Sequence, residues 1–299
     1  MRRIAALLAS LTLSATVGLV LAAEPAQAGP PRGDTKDNPI IFVHGFAASG
    51  GYDCTSQWSS VGAHLRANGW TGELMTFGYY GGDTRCSFPN DGNRNTSIHT
   101  VAHQLADVIY DNYSSKGRKV DVVAHSMGGL VIRSALLNVQ RGTPGWPPYL
   151  YVEDVVTLAS PHDGARDAGF CALLYLQCRQ MYPGSGFFGE LEVLGTGSGG
   201  RPVLPVSAMG TDWTVTSSFE DDITLESSGV NVDADHRLQY NAAECTGGEP
   251  GLEHSDFIHK RTGLYCVRIH DRGSSWTPFT LQNAPVDRTY QAVYDSSAA

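Results

Sequence analysis

The residue with the clearest chemical potential is Ser126, between an apolar run at residues 120–124 and a helical pattern that begins at Met127. A serine hydroxyl is a weak nucleophile at neutral pH and requires a neighbouring base and an exposed position. A strand that turns sharply into a helix exposes the serine but crowds the positions two before and two after it. Those positions hold the small residues Ala124 and Gly128, although glycine is more usual at the first. The segment therefore predicts a nucleophile elbow, against the alternative of a serine placed between two elements by chance.

Two backbone N–H groups are predicted to stabilise the oxyanion that forms when such a serine attacks a carbonyl. Met127 opens the predicted helix, and the first N–H groups of a helix have no intrahelical acceptor. The second donor is predicted to be Phe46, which follows an apolar run at residues 39–43, because Gly45 permits a close approach of the backbone. His44 is interpreted as structural, since the base follows the nucleophile in the chain order expected here.

Strand-like and helix-like segments alternate along the chain and would position this elbow. This alternation predicts a single α/β domain over residues 39–299, with a mainly parallel twisted sheet covered by helices on both faces. Strands are predicted at residues 39–43, 73–79, 120–124, 152–159 and 203–208, and helices near 58–65, 98–113 and 127–138.

Several of these segments resemble secreted bacterial lipases, the class 2 lipases of the α/β-hydrolase superfamily. The resemblance extends over roughly residues 39–260. It implies an α/β-hydrolase fold with a small cap region between the later strands. It also implies carboxylic-ester hydrolysis without a metal or an organic cofactor. The matching segments are residues 41–46, 124–129, 157–164 and 171–185.

The same resemblance implies an acid just past a late strand and a base in a loop before the last helix, which correspond to Asp212 and His254. The order Ser126, Asp212, His254 is the one expected for this fold. Residues 203–208 are apolar enough for a buried strand, which would put Asp212 at the carboxyl end of the sheet, where ligands bind. Rival acids are Asp221 and Asp222, read as a solvated turn, and rival bases are His236 and His259.

Apolar side chains cluster between residue 161 and Asp212, and they predict either a cap with an acyl pocket or part of the core. We expect Phe170, Leu174 and Phe187 to contact an acyl chain if the first interpretation holds. The substrate would then be a lipid or another acyl ester, met at a lipid–water interface. The alternatives are an acyltransferase on the same fold and a lipid-binding protein without catalysis. The sequence does not separate a lipase from an esterase.

The start of the chain and its cysteines predict export. Arg2 and Arg3 precede an apolar run and a small-x-small site at residues 26–28, so residues 1–28 are predicted to be a signal peptide rather than a membrane anchor. Residues 29–38 form a polar arm. Six cysteines in an exported chain favour disulfides over a zinc site. Sequence-local pairing gives Cys54–Cys86, Cys171–Cys178 and Cys245–Cys266.

The charge of the chain bears on its partners. A formal net charge of −9 lacks the basic surface that nucleic-acid binding requires. No loop has the spacing of a known calcium motif. We therefore expect a secreted monomer that binds an ester substrate, with neither a nucleic acid nor a stable membrane anchor as partner.

Overall fold

A computed structural model describes residues 29–294, and its centre is one eight-stranded sheet. The first six strands in chain order pair in parallel, and the last two pair antiparallel at one edge. The strands are β1 (Ile40–Val43), β2 (Leu74–Phe77), β3 (Val120–His125), β4 (Val152–Leu158), β5 (Asp212–Ser218), β6 (His236–Tyr240), β7 (Leu264–Asp271) and β8 (Thr280–Asn283). Their spatial order is β2-β1-β3-β4-β5-β6-β7-β8.

Helices cover both faces of this sheet. The α-helices are α1 (Cys54–Gln57), α2 (Ser59–Ala67), α3 (Ile98–Asn112), α4 (Met127–Gln140), α5 (Ala168–Cys171), α6 (Leu176–Met181), α7 (Gly186–Leu191), α8 (Glu226–Gly229) and α9 (Pro285–Tyr294). Short 3-10 helices lie at Ser114–Lys116, Ser198–Gly200, Ala242–Glu244 and Asp256–Ile258. Helices α3 and α4 pack together over one apolar cluster, and α2 and α9 pack over the other.

Local sequence explains the elements around the elbow. Every residue of β3 is buried, as expected for a strand covered on both faces. Helix α3 begins where Ser97 Oγ accepts the N–H of Thr100, and its apolar stripe faces the core. Burial of β3 on both faces, and of the apolar faces of α3 and α4, thus fixes the position of the segment that leads to Ser126.

The fold class is confirmed, but one predicted strand is wrong. Residues 203–208 make only the isolated bridge between Val203 and Asp233, and no strand forms there. Pro202 and Pro205 interrupt that segment, and proline supplies no N–H for a ladder. The strand in this region is β5, which begins at Asp212 and is rich in tryptophan, threonine and valine.

The three disulfides join the cysteines in the predicted pairs, Cys54–Cys86, Cys171–Cys178 and Cys245–Cys266. The predicted signal peptide lies outside the described residues. Within residues 29–294, no helix is both long enough and apolar enough to cross a membrane. The predicted arm is ordered against the sheet, since Arg32 donates to the backbone oxygens of Glu153 and Gly210.

Candidate active site

Ser126 occupies the sharp turn between β3 and α4. Its backbone has φ of 55° and ψ of −130°, a conformation that residues other than glycine rarely adopt. The Ser126 N–H donates to Leu158 O at 2.9 Å, which ties the turn to the end of β4. Backbone strain of this kind persists where the surrounding structure enforces it, often at functional sites. The geometry is that of the nucleophile elbow the sequence predicts.

Close backbone contacts explain the small residues around the elbow. A Cβ atom at Gly128 would lie 2.4 Å from Val43 O, so the start of α4 can pass the end of β1 only without a side chain. A Cβ atom at Gly45 would lie 2.6 Å from Ser126 Cβ and 3.1 Å from its Oγ. The loop after β1 is therefore pressed directly against the serine.

His254 lies over Ser126 and links it to a carboxylate. Ser126 Oγ is 2.9 Å from His254 Nε2, and His254 Nδ1 is 2.8 Å from Asp221 Oδ2. An ionised carboxylate only accepts hydrogen bonds, so Nδ1 carries the hydrogen of the neutral ring and Nε2 is free to accept the serine proton. The predicted nucleophile and the predicted base are thus in direct contact.

Asp221 is rigidly held in a buried turn. It lies three residues past the end of β5, and its side chain is completely buried. Its Oδ1 accepts the N–H groups of Ile223 and Thr224, both at 2.9 Å, while Oδ2 faces His254. The sequence pattern indicated Asp221 only as a rival to Asp212, and its turn was predicted to be solvated. The signal for it was β5 itself, a β-branched run that ends just before the turn.

The prediction of Asp212 as the partner of His254 is wrong. Asp212 is the first residue of β5, so it lies at the amino end of the sheet rather than the carboxyl end. There its Oδ1 is 3.6 Å from His236 Nε2, while His236 Nδ1 is 2.7 Å from Asp271 Oδ1. Neither rival base takes the place of His254, since His236 contacts Asp212 and Asp271 and His259 is exposed.

His125, just before the nucleophile, holds the backbone of the base. It is buried, and its Nε2 donates to His254 O at 2.9 Å. Burial, and then the proximity of His254, lower the pKa of His125 to about 3. Its ring therefore stays neutral, and no hydrogen-bond partner within residues 29–294 meets its Nδ1. His125 therefore fixes the position of His254 and does not compete with it for the proton of Ser126.

The two predicted oxyanion donors flank Ser126. Met127 is the first residue of α4, so its N–H has no acceptor within the helix. Phe46 follows Gly45 in the loop that touches the serine, and no hydrogen bond from the described residues occupies its N–H. Phe46 and Met127 thus both lie beside the nucleophile, and their role as oxyanion donors stays a prediction.

An apolar pocket of about 420 Å³ opens above these groups. Its apolar lining includes Phe46, Ala165, Ala168, Met181 and Ile223. The three residues predicted to contact an acyl chain do not line it. Phe170 and Leu174 are 88% and 68% exposed, and Phe187 is buried beside a separate cavity behind α4. Helix α5 turns its small residues toward the pocket and leaves the large ones in solvent.

Within residues 29–294, the carboxylates that come close enough to hold a metal ion lie at the other end of the sheet. They belong to Asp121, Glu153 and Asp154. Donors already meet two of them, since Glu153 accepts from Gly33, Asn38 and Lys119, and Asp154 accepts from Arg32. Two cations beside three buried carboxylates favour a retained proton over a metal ion.

Comparisons with known proteins agree with this geometry. Residues 34–173, just under half of the chain, match the family described as "Putative serine esterase (DUF676)". This segment includes the loop after β1 and the whole elbow, but neither His254 nor Asp221. No curated protein matches the chain. The segment with the predicted nucleophile is therefore similar to a serine esterase family, and the mainly parallel sheet agrees with the predicted α/β fold class.

Solved structures similar to this chain include two described as lipases and one whose title states no activity. Bacillus licheniformis lipase BlEst2 in its propeptide form has 20% identity and a TM-score of 0.41, over 65% of this chain and 39% of that one. Aspergillus fumigatus lipase B has 17% identity and a TM-score of 0.42, over 69% and 44%. The lin2722 product of Listeria innocua has 14% identity and a TM-score of 0.45, over 87% and 94%. This chain thus spans about two fifths of the first two.

Proposed function

We propose that this chain, an α/β-hydrolase that matches a serine esterase family over residues 34–173, hydrolyses carboxylic esters through an acyl-enzyme at Ser126. The observation that carries the proposal is the unbroken series of contacts from Ser126 Oγ through His254 to Asp221, at 2.9 and 2.8 Å. Both distances are within hydrogen-bond range for an activated nucleophile. The series lies at the base of an apolar pocket.

The first half of the reaction forms the acyl-enzyme. Ser126 Oγ attacks the ester carbonyl carbon while its proton moves to His254 Nε2. The carbonyl oxygen becomes negative and accepts hydrogen bonds from the N–H groups of Phe46 and Met127. When this intermediate collapses, the bond to the alcohol oxygen breaks, and His254 returns its proton to the departing alcohol.

The second half reverses the roles. Water attacks the acyl carbon and gives a proton to His254. The bond to Ser126 Oγ then breaks as His254 returns that proton to Oγ, which releases the free acid and restores the serine. Throughout both halves, Asp221 holds the ring in one tautomer and stabilises its positive charge. Fixing Asp221 by two backbone N–H groups supports this role, because it leaves one oxygen aimed at His254.

The surroundings of the pocket support an apolar acyl chain as part of the substrate. The pocket itself is lined mainly by apolar side chains. Beside it, Phe170, Leu173 and Leu174 are between 68% and 95% exposed. A cluster of large apolar side chains in solvent is typical of a surface that meets another apolar phase. We therefore propose lipid esters at a lipid–water interface as the substrate class, for a chain whose three disulfides are compatible with secretion.

The test is an assay of the purified protein on p-nitrophenyl esters from acetyl to palmitoyl. Ser126→Ala is expected to lower kcat by about a million-fold, because it removes the nucleophile. Ser217→Ala is the matched control, since Ser217 is also buried and no described residue bonds its hydroxyl. A fluorophosphonate probe should label the wild type at Ser126 and leave Ser126→Ala unlabelled. Equal rates in the wild type and Ser126→Ala would contradict the proposal.

A further inference from the structure

The loop between β1 and the pocket is held from behind by a tyrosine. Tyr79 is completely buried, and its hydroxyl oxygen lies 2.7 Å from both His44 O and Gly45 O. Burial raises the pKa of Tyr79 well above its ordinary value, so the hydroxyl stays protonated and remains a donor. The single hydroxyl hydrogen is therefore shared between two successive carbonyls of the loop that touches Ser126.

The ring of His44 contacts the same loop beside Tyr79. Its Nδ1 lies 2.8 Å from Gly45 O, and its Nε2 lies 2.9 Å from Asp83 Oδ2. The ring also stacks on Tyr79 at a centroid distance of 4.1 Å. Both ring nitrogens thus lie within hydrogen-bond distance of an oxygen, one on the loop and one on Asp83, so the ring joins the loop to that carboxylate.

Asp83 is in turn fixed by backbone N–H groups. Its Oδ2 accepts from Tyr79 and Tyr80, and its Oδ1 accepts from Tyr52, at 2.7 to 2.9 Å. Burial alone raises the pKa of Asp83, but the hydrogen bond and charge of His44, with these N–H groups, lower it overall. The carboxylate is therefore ionised and immobile, and it fixes the ring of His44.

These contacts determine the direction of one peptide group. The Gly45–Phe46 peptide is planar and trans, so its N–H points opposite to its C=O. Gly45 O faces Tyr79 and His44, which directs the Phe46 N–H away from them. Gly45 itself packs against Ser126, and no described residue accepts the Phe46 N–H.

We propose that Tyr79, His44 and Asp83 are positioning residues that orient the Gly45–Phe46 peptide, so that its N–H faces the oxyanion. The inference rests on the proposed function, since an oxyanion forms only if Ser126 attacks a carbonyl. The competing explanation is that the three side chains merely fill the core beneath the loop. The two explanations differ in the step they affect. A positioning role acts on the transition state, and so changes kcat rather than KM.

The test is Tyr79→Phe, which keeps the ring and removes only the hydroxyl. With one of its two donors gone, the peptide can rotate, and the oxyanion loses part of its stabilisation. We expect kcat to fall about 10- to 100-fold with KM unchanged within about two-fold. Affinity for an alkyl boronic acid, whose serine adduct mimics the tetrahedral intermediate, should fall by a similar factor.

Tyr240→Phe is the control, because Tyr240 is also buried and no described residue bonds its hydroxyl. It should leave kcat and boronate affinity unchanged. A crystal structure of Tyr79→Phe tests the inference without any activity, and an unmoved Gly45–Phe46 peptide would overturn it even if Ser126 proved inactive toward esters. If the wild type hydrolyses esters and Tyr79→Phe keeps its kcat, the inference alone is overturned and the proposed function stands.

Discussion

The two ends of the central sheet carry the same residue types but differ in what surrounds them. At the carboxyl end, His254 and Asp221 extend from loops and meet Ser126 beneath a pocket. At the amino end, His236 contacts Asp212 and Asp271, all three in strands. Loops that follow parallel strands leave room for a ligand, whereas the strand starts are packed between neighbours. A histidine–aspartate pair is therefore weak evidence for catalysis until a nucleophile and a cavity accompany it.

Electrostatics also separate the two ends. Burial, and then Asp235, raise the pKa of Asp212 to about 6. Burial, and then Glu153, raise the pKa of Asp154 to about 8. The amino end thus gathers carboxylates that resist ionisation, whereas Asp221 at the carboxyl end has two N–H donors and His254 to stabilise its charge. Raised carboxyl pKa values alone would have pointed to the wrong end of the sheet.

The largest contrast is expected between the two histidines. His254→Ala should lower kcat by about a hundred-thousand-fold or more, because Ser126 then has no base. His236→Ala should leave kcat within about three-fold, since β5 alone separates its cluster from the pocket by about 20 Å. Initial rates on a short-chain ester measure both, with thermal unfolding to verify folding. A comparable loss of kcat in both variants would remove the distinction drawn between the two ends.

The next contrast concerns the aspartates. Asp221→Asn keeps the shape of the side chain, but its amide can present a donor to His254 Nδ1 and favour the wrong tautomer. We expect kcat to fall by about 10³- to 10⁴-fold with little change in KM. Asp212→Asn should leave kcat within about three-fold. A larger loss of kcat in Asp212→Asn than in Asp221→Asn would instead identify Asp212 as the acid, as the sequence predicted.

Sequence patterns predicted the residues whose neighbours in the chain define them. Ser126, Met127 and Phe46 follow buried strands, and the elbow demands small residues at fixed offsets, so a local pattern is sufficient. Asp221 depends instead on where β5 ends. The apolar segment at residues 203–208 has the composition of a strand, yet two prolines prevent pairing, and the prediction moved the strand nine residues upstream. Because the acid was assigned from the position where a strand ends, the error in the position of the strand became an error in the acid.

The acyl-contact prediction failed for a different reason. Composition indicated that the region between β4 and β5 is apolar, but it could not indicate which side chains face the pocket. Phe170 lies in helix α5 and Leu174 in the loop that joins α5 to α6, next to the Cys171–Cys178 disulfide, and both large side chains lie in solvent. Such exposure depends on tertiary packing, and it is invisible to periodicity over helices of four or six residues.

The smallest effect is expected at the amino end and concerns stability rather than rate. Burial, and then Asp154, raise the pKa of Asp121 well above its ordinary value. In the unfolded chain both aspartates ionise near pH 4, while the folded chain retains their protons. Folding stability therefore falls as pH rises from about 4 toward about 8, because the unfolded state releases protons that the folded state keeps.

Asp121→Asn removes one of these carboxyl groups, and with it the proton that the folded chain must retain there while the unfolded chain releases it. We expect Tm at pH 8 to rise by about 2–5 °C, with a shallower decline of Tm between pH 5 and 8. Asp91→Asn at an exposed position is the control and should leave the pH profile unchanged. Activity should also be unchanged, because Asp121 lies about 15 Å along β3 from Ser126. A lower Tm at pH 8 in Asp121→Asn would contradict this expectation. It would show that the buried carboxylates are ionised and held by Arg32 and Lys119, and the electrostatic contrast between the two ends of the sheet would then disappear.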